Sequence, residues 1–516
     1  MNLRDALLAG LAELPGTREF HLHVLVTNPR KHSNLYPFAC PRPKTYLQDI
    51  LILLSEQLTP DSPRIFVSAI ESKVYHLPST SSAIVYVSKV DSTGQASAPS
   101  PTSALVRAFL SYYVDPATRP LSVDHVWVHL FARAQSQYLF PNSADFAGKR
   151  PLTDIKLCGW WKDQLTKVAE QLARHGDWCR TRLFYLLPGL GELEASHSLE
   201  RAYPTTSGAS RPWVYGHPYS QTDILLLCNS SSDVGKPCHL GQLIPWFDDD
   251  PKARFLDEIA YTTDAEGIKS PERKRPRTER NNPTLDEEDL ENSSDKKESV
   301  KEEQTTKALR KVSVDEFWER MSFRQECIAG AVTGFFVMAI SCLTPSGVSH
   351  SEPSPLIPQP GQVSPQMMKR ILTSLMTGHE FPSVERAIWS TKVLEESIKG
   401  LCDGLKNAPT PGITPRAYDS DRRSPELNPP VTTLAPPQTP PLRPVGAHAR
   451  LPIVDASPNP FPEPITSLET YNAYIYGSRF VSNRHLPRKD IPVTGDGDGK
   501  PAVTVLTVRR KKRPKS

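Results

Sequence analysis

His125-Val126-Trp127-Val128-His129-Leu130-Phe131 decides the fold class. β-Branched and aromatic residues fill this run, and neither proline nor glycine interrupts it, so it reads as a strand. Runs of the same kind occur at His21-Leu22-His23-Val24-Leu25-Val26, Ile65-Phe66-Val67-Ser68-Ala69-Ile70 and Ala83-Ile84-Val85-Tyr86-Val87. Ile224-Leu225-Leu226-Leu227 is shorter and fits strand or helix. Helical patterns lie between the strands. Leu105 to Tyr113 follows Ser100-Pro101-Thr102-Ser103, a stretch rich in helix-capping residues. Trp161, Leu165, Val168 and Leu172 recur at the spacing of one helix face, with Gly176 placed to end that helix. Strands alternating with helices give an α/β or α+β domain.

The 516 residues carry 61 Lys+Arg against 57 Asp+Glu, a net charge of +4, which excludes nucleic-acid binding by bulk charge. Proline limits how much of the length can be folded core. There are 51 prolines, about twice the usual ~5%. Residues 1–261 read as the first part of the folded domain. Residues 262–311 are almost wholly polar and read as a disordered charged insertion, with a basic cluster at 273–280. Ser313-Val314-Asp315-Glu316 is a capping box, and residues 312–405 read as a helical completion of the domain. Residues 406–516 read as a disordered tail, with 16 prolines in the 56 residues from Pro409 to Pro464. An aromatic patch, Tyr471 to Tyr476, follows, and the chain ends in a basic segment at 509–515. The two basic clusters suit nuclear import. The eight cysteines include no CxxC pair and fit no zinc spacing, so they read as reduced thiols with no metal site. The start lacks the apolar core of a signal peptide. Cys327 to Val348 is uncharged and long enough to span a bilayer, but its Thr, Ser and Pro content favours a buried helix over a membrane segment.

No Walker loop and no HExxH is present, and Pro188-Gly189-Leu190-Gly191-Glu192 lacks the third glycine of a dinucleotide fingerprint. Three constellations can carry chemistry. Val90-Asp91-Ser92 follows a strand, and Ser100-Pro101-Thr102-Ser103 opens a helix whose free amides suit phosphates. Phe131 to Pro141 leads to Lys149-Arg150-Pro151-Leu152 and to Trp160-Trp161, cations and indoles that suit a phosphate-bearing ligand in an apolar tunnel. Pro245-Trp246-Phe247-Asp248-Asp249-Asp250-Pro251-Lys252 sets three carboxylates between aromatic residues. Such acids can accept protons or attract a cationic substrate. Each constellation alone is also compatible with a purely structural role.

Together, the string from Phe131 to Pro141, the Trp160-Trp161 pair, Trp246 to Lys252, and Phe317 to Glu326 resemble the fungal regulator-of-Ty-transposition histone H3 acetyltransferases. The likeness runs over about residues 1–405 apart from 262–311. It implies a mixed central sheet surrounded by helices, related to the CREB-binding-protein acetyltransferases, with acetyl-CoA as cosubstrate. It implies that Val90, Asp91 and Ser92 line the acetyl-CoA site and that Ser100, Pro101, Thr102 and Ser103 hold its phosphates. Phe131, Gln135, Arg150, Pro151, Leu152 and Trp160 match cofactor-contacting positions, and Trp161 and Tyr138 match positions near the lysine channel. Asp249 and Asp250 match the acidic pair, with Asp250 handling the proton, while Asp248 departs from the pattern. Lys252 matches an autoacetylated lysine, with Asp91 expected near it. The resemblance further implies histone H3–H4 as substrate, an anti-silencing-function histone chaperone that presents it, and a nucleosome-assembly-protein-type chaperone that raises activity. Such an enzyme acts in the nucleus, in chromatin assembly linked to DNA replication and repair. The alternative is a non-catalytic nuclear scaffold that binds histones or chromatin through its proline-rich and basic tail.

Overall fold

The computed structural model of the chain describes residues 2–174, 179–204, 212–221, 224, 238–261, 305–324, 327, 331–342, 359–403, 461 and 464–484. Most of the insertion, most of the proline tract, Gly176, Leu225 to Leu227 and both basic clusters lie outside the described residues.

Ten strands form one sheet in the order β10-β1-β3-β4-β5-β6-β9-β7-β8, with β2 paired to β3 off that path. They are β1 (Gly16–Val26), β2 (Arg30–Lys31), β3 (Tyr46–Gln57), β4 (Ile65–Leu77), β5 (Ser82–Ser92), β6 (His125–Ala132), β7 (Arg180–Leu186), β8 (Trp213–Tyr215), β9 (Gly334–Ser341) and β10 (Tyr476–Asn483). The β5–β6 and β7–β8 pairs are parallel and the remaining pairs are antiparallel, so the sheet is mixed.

Helices cover both faces. On one side α1 (Leu3–Leu11), α2 (Thr102–Val114), α3 (Asp154–Arg174) and α4 (Glu192–Ala202) pack on alternate residues of the strands. The face read from sequence, Trp161, Leu165, Val168 and Leu172, is buried there. The other side is covered in two parts. The short α5 (Leu240–Leu243), α6 (Pro251–Tyr261) and α7 (Val314–Met321) pack around Phe335, while α8 (Pro365–Gly378) and α9 (Val384–Asp403) pack over β1, β3 and β4. Ser313 caps α7 through its hydroxyl, which accepts from the Glu316 N–H at 3.1 Å. Among the described residues no helix is long and apolar enough to cross a membrane.

The structure corrects four expectations. The apolar run read as a buried helix is strand β9, every residue of which is buried. Phe336, Met338 and Ile340 face one core cluster while Val337 and Ala339 face another. A strand covered on both faces shows a continuous apolar run, which periodicity cannot separate from a buried helix. The same coverage hides β3, whose Ile50 to Leu54 are all buried. Cys179 and Cys342, read as thiols, form a disulfide with Cα atoms 4.3 Å apart. They flank the cross-strand partners Arg180 and Ser341, so pairing of β7 with β9 brings them together. Finally, the chain beyond the proline tract adds β10 to β1, with Ile475 and Val481 buried, and residues 305–311 are helical with Leu309 fully buried. A few apolar anchors within polar sequence suffice for both, and composition averages over them.

Replacing Leu165 by Ala removes a fully buried side chain from the α3 face. The urea midpoint should fall by the equivalent of about 2–5 kcal/mol at unchanged m-value.

Candidate active site

The acidic loop is seated on the sheet by an aromatic ring. Phe247 is fully buried and stacks on Tyr86 of β5, with ring centroids 4.0 Å apart and planes within 8°. The Trp246 N–H donates to the Leu35 carbonyl at 2.8 Å. With the loop thus held, the three carboxylates take three different partners. Exposed Asp248 pairs with Lys73 at 2.7 Å. Asp249 accepts the Tyr86 hydroxyl at 2.6 Å through Oδ1 and the Ser88 hydroxyl through Oδ2. Asp250, 1% exposed, pairs with the Lys252 ammonium and accepts the Lys252 N–H at 2.9 Å, which caps the first turn of α6. Burial pushes the Asp250 carboxyl above the usual carboxylate range, and the Lys252 charge and hydrogen bonds oppose that rise. The Lys252 ammonium lies 4.6 Å from the centre of the Phe335 ring, which itself packs at a tilt against Phe131 with centroids 4.8 Å apart.

A bulge brings Ser88 to the acid. Glu71 of β4 pairs with Lys89 and Ser72 pairs with Val87, which leaves Ser88 as an extra residue. The slip also places Val90 on the same core face as Val85 and Val87. Beyond it Asp91, 5% exposed, ends β5. Its Oδ2 accepts the backbone N–H groups of Tyr138, Leu139 and Phe140 at 2.8, 2.8 and 3.1 Å, and its Oδ1 takes the Lys149 ammonium at 2.9 Å. The segment after β6 is therefore tied to the end of β5. Because β5 and β6 are parallel, a crossover must join them, and α2 provides it. The residue before α2 is Pro101, which supplies no side-chain cap. The Trp160 indole N–H reaches across from α3 to the Ser103 hydroxyl at 3.0 Å.

A cleft beside the Asp250–Lys252 pair is lined by His129, Tyr219, Lys252, Trp318 and Phe335 among others. Burial, with the Lys252 charge as a smaller cause, pushes the His129 imidazole well below its usual value, so it is neutral at working pH.

The family model of the histone acetyltransferase KAT11-type domain matches residues 117–397. The chain belongs to the KAT11-type histone acetyltransferase family. Enzymes of this family move an acetyl group from acetyl-CoA to lysine. The chain is similar to the histone acetyltransferase rtt109 of Aspergillus flavus, at 31% identity over 315 residues. That alignment covers 56% of this chain and 47% of the relative, so the chain matches about half of that protein's length. The histone acetyltransferase rtt109 of Schizosaccharomyces pombe is 25% identical over 364 residues, covering 69% of this chain and 76% of that one. The crystal structure of Rtt109 from Aspergillus fumigatus superposes with a TM-score of 0.54 at 26% identity, over 77% of this chain and 96% of that one.

Within this acetyltransferase fold, the residues singled out from sequence gather in part. Val90, Asp91 and Ser92 end β5, Ser100 to Ser103 open α2, and Trp160 touches Ser103. Phe131 packs against Phe335 beside Lys252. Gln135, Arg150, Pro151 and Leu152 are exposed on the stretch between β6 and α3. Tyr138 is half-buried, and its hydroxyl donates to the Arg133 carbonyl. Trp161 packs into the main core with its ring edge-on to Trp160 at 4.7 Å. The lysine that Asp91 binds is Lys149, while Lys252 pairs with Asp250. Sequence reading also missed Tyr86 and Ser88 as the groups that hold Asp249. A hydroxyl-bearing aromatic in an otherwise apolar strand, with a serine two positions on, was the available signal.

Asp91→Asn should weaken the fold by roughly 3–5 kcal/mol, because it strands the buried Lys149 cation. Lys149→Met added to it should restore part of that loss in a double-mutant cycle read by urea denaturation.

Proposed function

We propose that the chain transfers acetyl from acetyl-CoA to a lysine of histone H3. The αN-helix lysine is the main target and tail lysines are lesser ones. In this reading H3–H4 arrives on an anti-silencing-function chaperone, a nucleosome-assembly-protein-type chaperone raises the rate, and the work is done in the nucleus during chromatin assembly linked to replication and repair. The observation that carries the chemistry is the juxtaposition of Asp249, fastened to β5, with the buried Asp250–Lys252 pair. Family membership supplies the substrate class.

The residues fit acetyl-CoA, which brings an activated thioester when bound. Pro101 gives α2 no side-chain cap, the Ser100 hydroxyl accepts the Thr102 N–H only at 3.5 Å, and the Ser103 hydroxyl lies in the first turn. That arrangement suits phosphates at the amino end of a helix. Exposed Arg150 adds a cation, and Phe131, Trp160 and Leu152 offer apolar surface. Val90, Asp91 and Ser92 form the end of β5 next to it. Asp91 serves by holding residues 138–140, and Tyr138 with them, in place. Trp161 backs the Trp160 ring.

A lysine substrate arrives protonated. Keeping it neutral near pH 7 costs about 4–5 kcal/mol from a reference pKa of ~10.4. Asp250 takes this proton, directly or through water, and exposed Asp249 draws in the cation. The Lys252 ammonium holds the Asp250 carboxyl down and occupies it. Acetylation of Lys252 removes that charge, frees the carboxylate and raises its pKa further, which suits a proton acceptor.

Mass spectrometry of H3–H4 incubated with the protein, acetyl-CoA and each chaperone tests the reading. Acetyl-lysine in the H3 αN helix is expected, and unmodified histones would leave only the scaffold role. The pH–rate profile tests Asp250 separately. Because its pKa is raised, the acidic limb of kcat/KM should lie above the ordinary carboxylate range. Asp250→Asn should abolish that limb, and a limb that persists unchanged removes Asp250 as the base.

A further inference from the structure

The loop that leads into α2 is pinned from below by a charged pair with no part in the chemistry. Arg18 of β1 is 1% exposed. Its guanidinium meets Glu56 of β3 at 3.3 Å, and the Glu56 side chain is 4% exposed. The fork of the guanidinium is directed at backbone. Nη1 donates to the Ser97 carbonyl at 2.9 Å, and Nη2 donates to the Pro99 carbonyl at 2.9 Å and the Pro15 carbonyl at 3.3 Å. Glu56 completes the grip by accepting the Ser97 N–H at 3.2 Å. Ser97 is thus held at both its N–H and its carbonyl, and Pro99 is held one residue before Ser100. From there the Ser100 hydroxyl bonds to that of Thr102 at 3.1 Å, and Thr102 bonds to Ser68 of β4 at 2.5 Å.

A surface loop of this kind has no need of a buried ion pair for its own stability, since an exposed loop can satisfy its carbonyls with water. The placement makes sense if the position of the next few amides matters. Only arginine has the planar fork that spans two carbonyls and a carboxylate together. We propose that Arg18, with Glu56, is a positioning residue for acetyl-CoA: it sets the loop at 97–99 so that Ser100 to Ser103 and the free amides of α2 meet the phosphates. This rests on the reading of Ser100 to Ser103 as the phosphate site. The effect is on binding of the phosphate-bearing part, and the lysine chemistry at Asp249 and Asp250 lies outside its reach.

The experiment compares steady-state kinetics of Arg18→Lys, of the paired Arg18→Met/Glu56→Leu protein and of Ser100→Asp. Lysine keeps the charge opposite Glu56 but loses the fork, and the paired variant removes both charges together, so that one or the other stays folded by thermal melting. Two acetyl donors are used: acetyl-CoA, and S-acetylpantetheine, which has the thioester without the phosphates that α2 would meet. In the folded variants KM for acetyl-CoA should rise about tenfold, as expected for one or two relaxed hydrogen bonds, while kcat changes by less than about twofold. KM for S-acetylpantetheine should stay unchanged. An equal rise for both donors, or no rise for acetyl-CoA, overturns the role of Arg18. Ser100→Asp puts a carboxylate where the phosphates would sit and should raise KM for acetyl-CoA alone. If it does not, the phosphate reading of the loop falls and the Arg18 proposal falls with it. If Ser100→Asp acts and the Arg18 variants do not, the phosphate reading stands and only the Arg18 proposal fails.

Discussion

A charge taken out of water must find its opposite, and three buried pairs fasten the segments that carry the candidate site residues. Arg18–Glu56, Lys149–Asp91 and Lys252–Asp250 each have both side chains no more than 6% exposed. Each ion loses several kcal/mol of hydration, so the pairs are poor sources of net stability compared with apolar packing. What they give is position, because breaking one leaves an uncompensated charge and the alternatives are therefore costly. The three fix different segments: the loop before α2, the stretch after β6 and the loop before α6. The stretch after β6 is tied to Asp91 at the end of β5, and the loop before α6 is tied to Tyr86 and Ser88 of the same strand. The site is thus framed by loops, which are soft by nature, each nailed by a buried pair.

The sheet supplies the rigid reference for those nails. β5 and β6 are the interior parallel pair, and β9 and β4 flank them with both faces covered. Glu56, Asp91 and Tyr86 project from strands, so their positions follow the ladder rather than the loops. The bulge at Ser88 has a definite consequence in this setting. It turns the β5 side chains beyond it to the opposite faces, so that Val90 joins the main core while Ser88 stays with Tyr86 at the Asp249 carboxylate. Without the extra residue one side chain or the other would face the wrong layer.

How much of this could be read from the sequence depended on residue type and on the contrast between faces. β6 and β5 are buried on both faces too, yet their runs are dense in β-branched and aromatic residues, and α3 was legible because one face is apolar and the other polar. β9 and β3 are covered in the same way, but Gly, Met and Ala in one and repeated Leu in the other weaken the strand signal. β10, Tyr476 to Asn483, is an edge strand with a mostly exposed surface, so its residues look like the rest of a polar tail. In the candidate site the acidic triplet stood out by type, but its division of labour did not. Asp248, Asp249 and Asp250 are neighbours with the same side chain, and only the contacts with Lys73, Tyr86 and Lys252 separate a surface pair from a held carboxylate and a buried one. Local spacing carries no trace of the Lys149–Asp91 pairing, which joins residues 58 positions apart.

The contrast between Asp249 and Asp250 shows how one loop can perform two electrostatic tasks. Asp249 is exposed, and two hydroxyls hold it, so its charge is available to an approaching cation. Asp250 is enclosed, and desolvation raises its carboxyl above the usual carboxylate range against the opposing pull of Lys252. The counter-ion that opposes that rise is tethered two residues away on the same helix turn, near the faces of Phe335 and Phe247. An ammonium so placed is itself a lysine amine beside a carboxylate in an aromatic enclosure, the arrangement that a substrate lysine would have to adopt. In the proposed reading, an environment that prepares a substrate amine would act on Lys252 in the same way, which is why its acetylation belongs to that proposal.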